Sequence, residues 1–188
     1  SIRTLANELT DGGGPSPFID RPSSVEDVGN RDVYVGGNGD IALYHRDPAT
    51  RELAFVETLG DNSEVAGVIV RDLRADSAGV FLYAALQSGD IVVYQRNALD
   101  GSLSVVPGST ISADFRSGLI VTADRVFVIG RDNAMPATFN DGRLISFTRN
   151  PDGTLTASSE IRSGDMLPGG VVPLIKDSNT MALSPDRN

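Results

Sequence analysis

The chain has 188 residues, of which 40% are hydrophobic and 22% charged, with no apolar run near the ~20 residues of a membrane-spanning helix. A formal charge of -9 and a sequence pI near 4.5 make nucleic acid and anionic lipid poor partners. The absence of cysteine removes disulfides, thiolate nucleophiles and cysteine metal sites together.

In chain order, residues 2–9 have the pattern of an outer strand of a preceding unit. Residues 11–17, an Asp-Gly-Gly-Gly-Pro-Ser-Pro stretch, read as a flexible connection. A first strand is expected at residues 24–26 and a second at residues 32–35, the latter rich in β-branched and aromatic residues. Gly36, Gly37, Asn38 and Gly39 then join two strands instead of opening a helix, so they predict a hairpin turn and not a phosphate cradle. Residues 39–53 run from Gly-Asp-Ile through Leu43, Tyr44, His45 and Arg46 into an Asp-Pro-Ala-Thr turn. A half-exposed outer strand follows from Leu53.

The same order returns twice. Expected strands at residues 67–70 and 80–84 precede residues 89–103, where Tyr94 and Arg96 stand before an Ala-Leu-Asp-Gly turn and Leu103. Expected strands at residues 118–121 and 125–128 precede residues 142–155, where Phe147 and Arg149 stand before a Pro-Asp-Gly turn and Leu155. Tyr44, Tyr94 and Phe147 keep one register with Arg46, Arg96 and Arg149. Four strands in every ~50 residues, with the sequence itself repeating at that period, predict an all-β chain built as a β-propeller of four-stranded antiparallel blades. A β-sandwich is the alternative, since its strands fall at similar intervals, but nothing in it calls for a repeat of this length.

The repeats lie roughly at residues 23–60, 67–108 and 115–160, with partial units at 1–10 and 177–188. Propellers close with ~4 to 8 blades, so about three whole blades and two partial ones point to a piece of something larger or to assembly with other chains. The third repeat carries an enlarged loop, residues 130–141, between its second and third strands. Residues 165–173 read as another connection. Long loops on a rigid scaffold are where binding concentrates, so Arg131, Asp132 and Asn133 are the candidate binding residues.

The repeats resemble the bacterial lactonase-like and YVTN-like propeller class, whose units pass from a Ser-Pro-Asp-Gly turn through a Val-Tyr-Val strand. Those units continue into a strand ending in an aromatic and Arg-Asp, then a Thr-Gly-x-Leu turn. The matching pieces are Val33, Tyr34 and Val35, then Leu43 to Asp47, Ala49 to Leu53, Asp100 to Leu103, and the closing Met181 to Asp186. The resemblance covers residues 23–160. It implies a propeller and, by analogy alone, a hydrolase acting on a small sugar lactone at the central channel, with a carboxylate, an arginine and His45 as acid, clamp and base.

The residues themselves point elsewhere. His45 is the one histidine, and the other repeats replace it with Gln95 and Thr148, as a surface or capping position would allow. Without cysteine, and without an Asp-x-Asp-x-Asp-Gly spacing, neither a metal nor a cofactor is expected. The Asp and Asn clusters are expected to form turns. The recurrent arginines are expected to pair with a neighbouring blade's carboxylate or cover an aromatic, or, as the less favoured reading, to form a ring for an anionic ligand. The composite expectation is a non-enzymatic binding scaffold, extracellular or periplasmic, that recognises a protein or glycan through its loops. Missing blades or other chains would be further partners, and nucleic acid and a membrane span are excluded. The lactonase-like hydrolase is the alternative.

Overall fold

The computed structural model describes residues 19, 21–59, 64–112, 118–131, 142–162, 165–168 and 170–171. Among them the chain is all β, arranged as four-stranded antiparallel sheets that stand side by side in an open array. Blade 1 comprises β1 (Ser24–Val28), β2 (Asp32–Gly36), β3 (Ile41–Arg46) and β4 (Leu53–Thr58). Blade 2 comprises β5 (Val70–Ala75), β6 (Phe81–Leu86), β7 (Asp90–Arg96) and β8 (Leu103–Val105), with β9 (Ile111–Ser112) also pairing with β7. Blade 3 comprises β10 (Leu119–Val121), β11 (Arg125–Arg131), β12 (Gly142–Arg149) and β13 (Leu155–Arg162). A short hairpin, β14 (Met166–Leu167) and β15 (Gly170–Val171), follows.

The repeat seen in the sequence is a repeat of register. Tyr44 lies opposite Val33, Tyr94 opposite Leu82 and Phe147 opposite Val126, and all three rings are buried. Beside the first and third rings the outer strand carries a bulge at the same place, between Leu43 and Tyr44 in blade 1 and between Ser146 and Phe147 in blade 3. The turns before the outer strands also share their chemistry, each tied by an aspartate side chain. Asp47 Oδ1 accepts the Ala49 and Thr50 N–H groups at 2.7 and 2.8 Å, Asp100 Oδ1 accepts the Ser102 N–H at 2.9 Å, and Asp152 Oδ1 accepts the Thr154 N–H at 2.9 Å.

The core lies between blades. One cluster joins Val28, Tyr34, Ile41 and Leu43 of blade 1 to Leu73, Leu82, Ala84, Val92 and Tyr94 of blade 2. A second joins Tyr83, Ala85, Ile91 and Val93 of blade 2 to Leu119, Val126, Val128, Ile145 and Phe147 of blade 3. Each strand thus buries alternate side chains on opposite sides, which is why a single blade could not hide its apolar faces alone. The outer strands β4 and β13 are mostly exposed, apart from the buried Leu155, while Leu53, Leu103, Val105 and Ile111 are partly buried against the cores.

Two features differ from the sequence reading. The inner strand of blade 2 is expected at residues 67–70 but runs from Val70 to Ala75, because the charged Arg71, Asp72 and Arg74 and a register shift between Val70 and Asp72 break the apolar alternation. The outer edge of blade 2 is split between the three-residue β8 and β9, the latter unexpected. The partial units at 1–10 and 177–188 and the connection at 11–17 lie outside the described residues.

Candidate functional site

The first strands β1, β5 and β10 adjoin one another and form the inner edge of the array, the side on which a propeller has its channel. Inner strands of neighbouring blades are not joined by a ladder, so their backbone N–H groups need other acceptors. Side chains of the preceding blade supply them. Ser24 Oγ accepts the Leu73 N–H at 2.9 Å, Glu26 Oε1 accepts the Ala75 N–H at 2.9 Å, and Asp72 Oδ2 accepts the Leu119 N–H at 2.8 Å. The Ser24 hydroxyl donates in turn to Asp72 Oδ1 at 3.2 Å.

Arg74 is gathered into the same cluster, with its guanidinium 3.5 Å from Glu26 Oε2 and 3.2 Å from Asp72 Oδ1. Burial pushes the Glu26 carboxyl above its usual range, against the Ala75 N–H and Arg74, which pull it down. A carboxyl with a raised pKa can carry a proton, and a half-exposed guanidinium beside it can stabilise an oxyanion. Sequence reasoning missed this cluster. Its only trace is the alternation Arg71, Asp72, Leu73, Arg74, which places charge on a strand read as a loop.

His45 lies elsewhere. It sits opposite Asp32 at the end of β3, on the corner between blades 1 and 2 and away from the inner strands. Its Nε2 is 3.0 Å from the Asp100 carbonyl, 3.1 Å from Arg31 Nη2 and 3.3 Å from Asp32 Oδ1, so the histidine expected at a surface or capping position is partly exposed and belongs to an interblade cluster. Asp32 is 0% exposed and pairs with Arg96 through both Nε, at 2.9 Å, and Nη2. Tyr34 donates to the Gly101 carbonyl at 2.6 Å beside this pair, and burial pushes its phenol up to about 12.

The recurrent arginines follow the interblade expectation in two cases of three. Arg96 reaches Asp32 of blade 1. Arg149 reaches Asp76 of blade 2 at 2.7 Å, binds the Tyr83 hydroxyl at 2.8 Å, and lies 5.5 Å from that ring's centre. Arg46 pairs instead with Asp27 of its own blade, at 2.5 Å. Of the predicted binding residues, Arg131 ends β11 opposite Gly142, while Asp132 and Asn133 lie outside the described residues. Among the described residues, no group of three or more His, Asp or Glu side chains converges to hold a metal ion. An open groove of about 360 Å³ between β9 and β12–β13 is lined by Ile111, Ile145 and Phe147 and rimmed by the Arg143–Glu160 pair.

No protein-family model and no curated protein matches the sequence. Solved structures do. The chain is similar to the periplasmic gluconolactonase of Pseudomonas aeruginosa at 16% identity and a TM-score of 0.62, over 87% of this chain and 43% of that one. It is similar to a Bacteroides uniformis protein carrying the provisional description 6-phosphogluconolactonase at 17% identity and a TM-score of 0.62, over 79% of this chain and 45% of that one. It is also similar to Saccharomyces cerevisiae Sqt1 at 18% identity and a TM-score of 0.58, over 77% of this chain and 36% of that one. The chain spans less than half the length of these structures, and its fold is that of the lactonase-like β-propellers.

Proposed function

We propose that this chain supplies part of the active site of a hydrolase that opens a small sugar lactone, in preference to acting only as a binding scaffold. The observation that carries this reading is the Glu26, Asp72 and Arg74 cluster on the inner strands. The propeller likeness to a gluconolactonase supports it as fold-level analogy. In the proposed reaction the Glu26 carboxylate takes a proton from a water that attacks the lactone carbonyl carbon. Arg74 stabilises the oxyanion that forms. Collapse breaks the bond from the carbonyl carbon to the ring oxygen, and the Glu26 carboxyl returns its proton to that oxygen, leaving a hydroxy acid. Asp72 holds Arg74 and the inner edge of blade 3 in place.

The test is hydrolysis of glucono-δ-lactone by the full-length polypeptide, followed as acid release over the spontaneous rate. Glu26→Gln is expected to lower kcat/KM by about 10² to 10⁴. Because Glu26 acts as a base and its pKa is raised, the rate should climb through a midpoint above 4.5, a limb that Glu26→Gln removes. A wild-type protein no faster than buffer would end this reading and return the scaffold to first place. The periplasm is the compartment we infer, by analogy with the gluconolactonase, and cell fractionation would check it.

A further inference from the structure

The corners where blades meet use two equivalent positions, and their occupants alternate. The first position is Val28 in blade 1, Asp76 in blade 2 and Thr122 in blade 3. The second is Asp32, Phe81 and Arg125, which lie opposite the residues that follow the three repeat rings. In blades 1 and 2 one of the two positions holds the carboxylate that receives the next blade's arginine, Arg96 or Arg149. Blade 3 holds a carboxylate at neither. Its charges are transposed relative to blade 1: where blade 1 has Arg31 then Asp32, blade 3 has Asp124 then Arg125. The tyrosine hydroxyl is gone as well, since Phe127 stands where Tyr34 and Tyr83 bind the following blade, and Phe127 is only half-buried. Arg125 is 39% exposed, donates to Ser158 Oγ at 2.5 Å, and lies a loose 3.7 Å from Asp124.

We infer that the onward face of blade 3 receives a sheet of the same polypeptide whose corner carries an aspartate or glutamate in place of the recurrent arginine, forming with Arg125 an ion pair of reversed polarity. An incoming arginine there would meet Arg125 instead of a carboxylate, and like charges at a partly desolvated interface oppose docking. The apolar half of the contact is already present in Phe127. The gluconolactonase that this chain matches extends to more than twice the matched span, which leaves room for such a sheet.

Carbodiimide coupling in the full-length polypeptide tests this with Arg125→Lys, which keeps the charge and adds an amine able to form an amide with a carboxylate in direct contact. Peptide mapping is expected to join position 125 to an acidic residue outside residues 1–188 on the same polypeptide. Coupling to Asp124 alone, or to a second copy as a dimeric band on a denaturing gel, would overturn the inference. In parallel, Arg125→Glu should speed hydrogen exchange of the β11 amides by more than about tenfold while leaving β2 unchanged. An unchanged β11 would count against the reversed pair, however well the variant folds.

Discussion

The corner between blades 1 and 2 and the corner between blades 2 and 3 do the same work with acid and apolar groups exchanged. In the first, Asp32 takes the incoming arginine and Val28 packs. In the second, Asp76 takes the arginine and Phe81 packs. The exchange alters how completely each carboxylate is satisfied. Asp76 Oδ1 accepts the Val80 and Phe81 N–H groups at 2.8 and 3.1 Å while Oδ2 takes Arg149. Asp32 gives Oδ2 to Arg96, and its Oδ1 has only the longer approaches of Arg31 at 3.2 Å and His45 at 3.3 Å. An interblade contact is therefore conserved in geometry while its electrostatic support moves from residue to residue.

Removing the arginines breaks the comparison most sharply. Arg96→Ala leaves a fully buried carboxylate short of donors and should destabilise the protein by about 3 to 5 kcal/mol. Arg149→Ala leaves Asp76 still holding two backbone N–H groups, and about 1 to 3 kcal/mol is expected. Urea unfolding of both variants in the full-length polypeptide gives the order, and equal losses would show that Oδ1 of Asp32 is as well served as that of Asp76.

The hairpin glycines come next. Gly101 and Gly153 both have positive φ, 77° and 87°, and each seats against the second corner position of the preceding blade. A Cβ on Gly153 would lie 2.4 Å from the Phe81 ring, whereas one on Gly101 would lie 2.9 Å from the Asp32 carboxylate. Gly153→Ala should cost about 2 to 4 kcal/mol and Gly101→Ala about 1 to 3, combining backbone strain with overpacking. Arg51 holds the same turn position in blade 1 at φ 67° and is exposed, so Arg51→Gly should be within about 0.5 kcal/mol of wild type. The tyrosines follow. Tyr83→Phe removes the acceptor of a charged donor and should cost about 1.5 to 3 kcal/mol, against about 0.5 to 1.5 for Tyr34→Phe, whose hydroxyl serves a neutral carbonyl.

The blades were legible in the sequence because Tyr44, Tyr94 and Phe147 share one register: Tyr94 and Phe147 pack on the preceding sheet, Tyr44 packs with Val33, Val35 and Ala42, and burial demands an apolar ring at each. The strand carrying Asp72 and Arg74 was not legible, because the inner face of a propeller imposes no apolar alternation. Nor did His45 disclose its partners: Asp32 from the adjacent strand, Arg31 from the turn before it, and the Asp100 carbonyl from the next blade's turn. Spacing along the chain reports periodic burial well. It reports little about which polar groups a stacked neighbour brings into reach.

The smallest effects are those of pH, and they run in opposite directions in the turns and at the inner edge. Asp100 and Asp152 sit in the hairpins that seat Gly101 and Gly153, and hydrogen bonds from Ser102 and Thr154 hold their carboxyls below the usual range. A depressed folded-state pKa adds stability above the unfolded value, and this is lost as pH falls through the folded value, so both turns weaken in acid. Glu26 has a raised folded-state pKa, so its contribution is fully present below the unfolded value of 4.5 and is lost as pH rises through the folded one. Urea midpoints between pH 3 and 7 separate the two. Ser102→Ala and Thr154→Ala should each flatten the acid side of the profile, with Asp100 the less affected because Arg31 also lowers it. Glu26→Gln keeps an acceptor for the Ala75 N–H and should be slightly more stable than wild type near neutrality, with the gap closing toward pH 4. A gap that persists in acid would mean that packing, and not desolvation of the carboxylate, sets the difference.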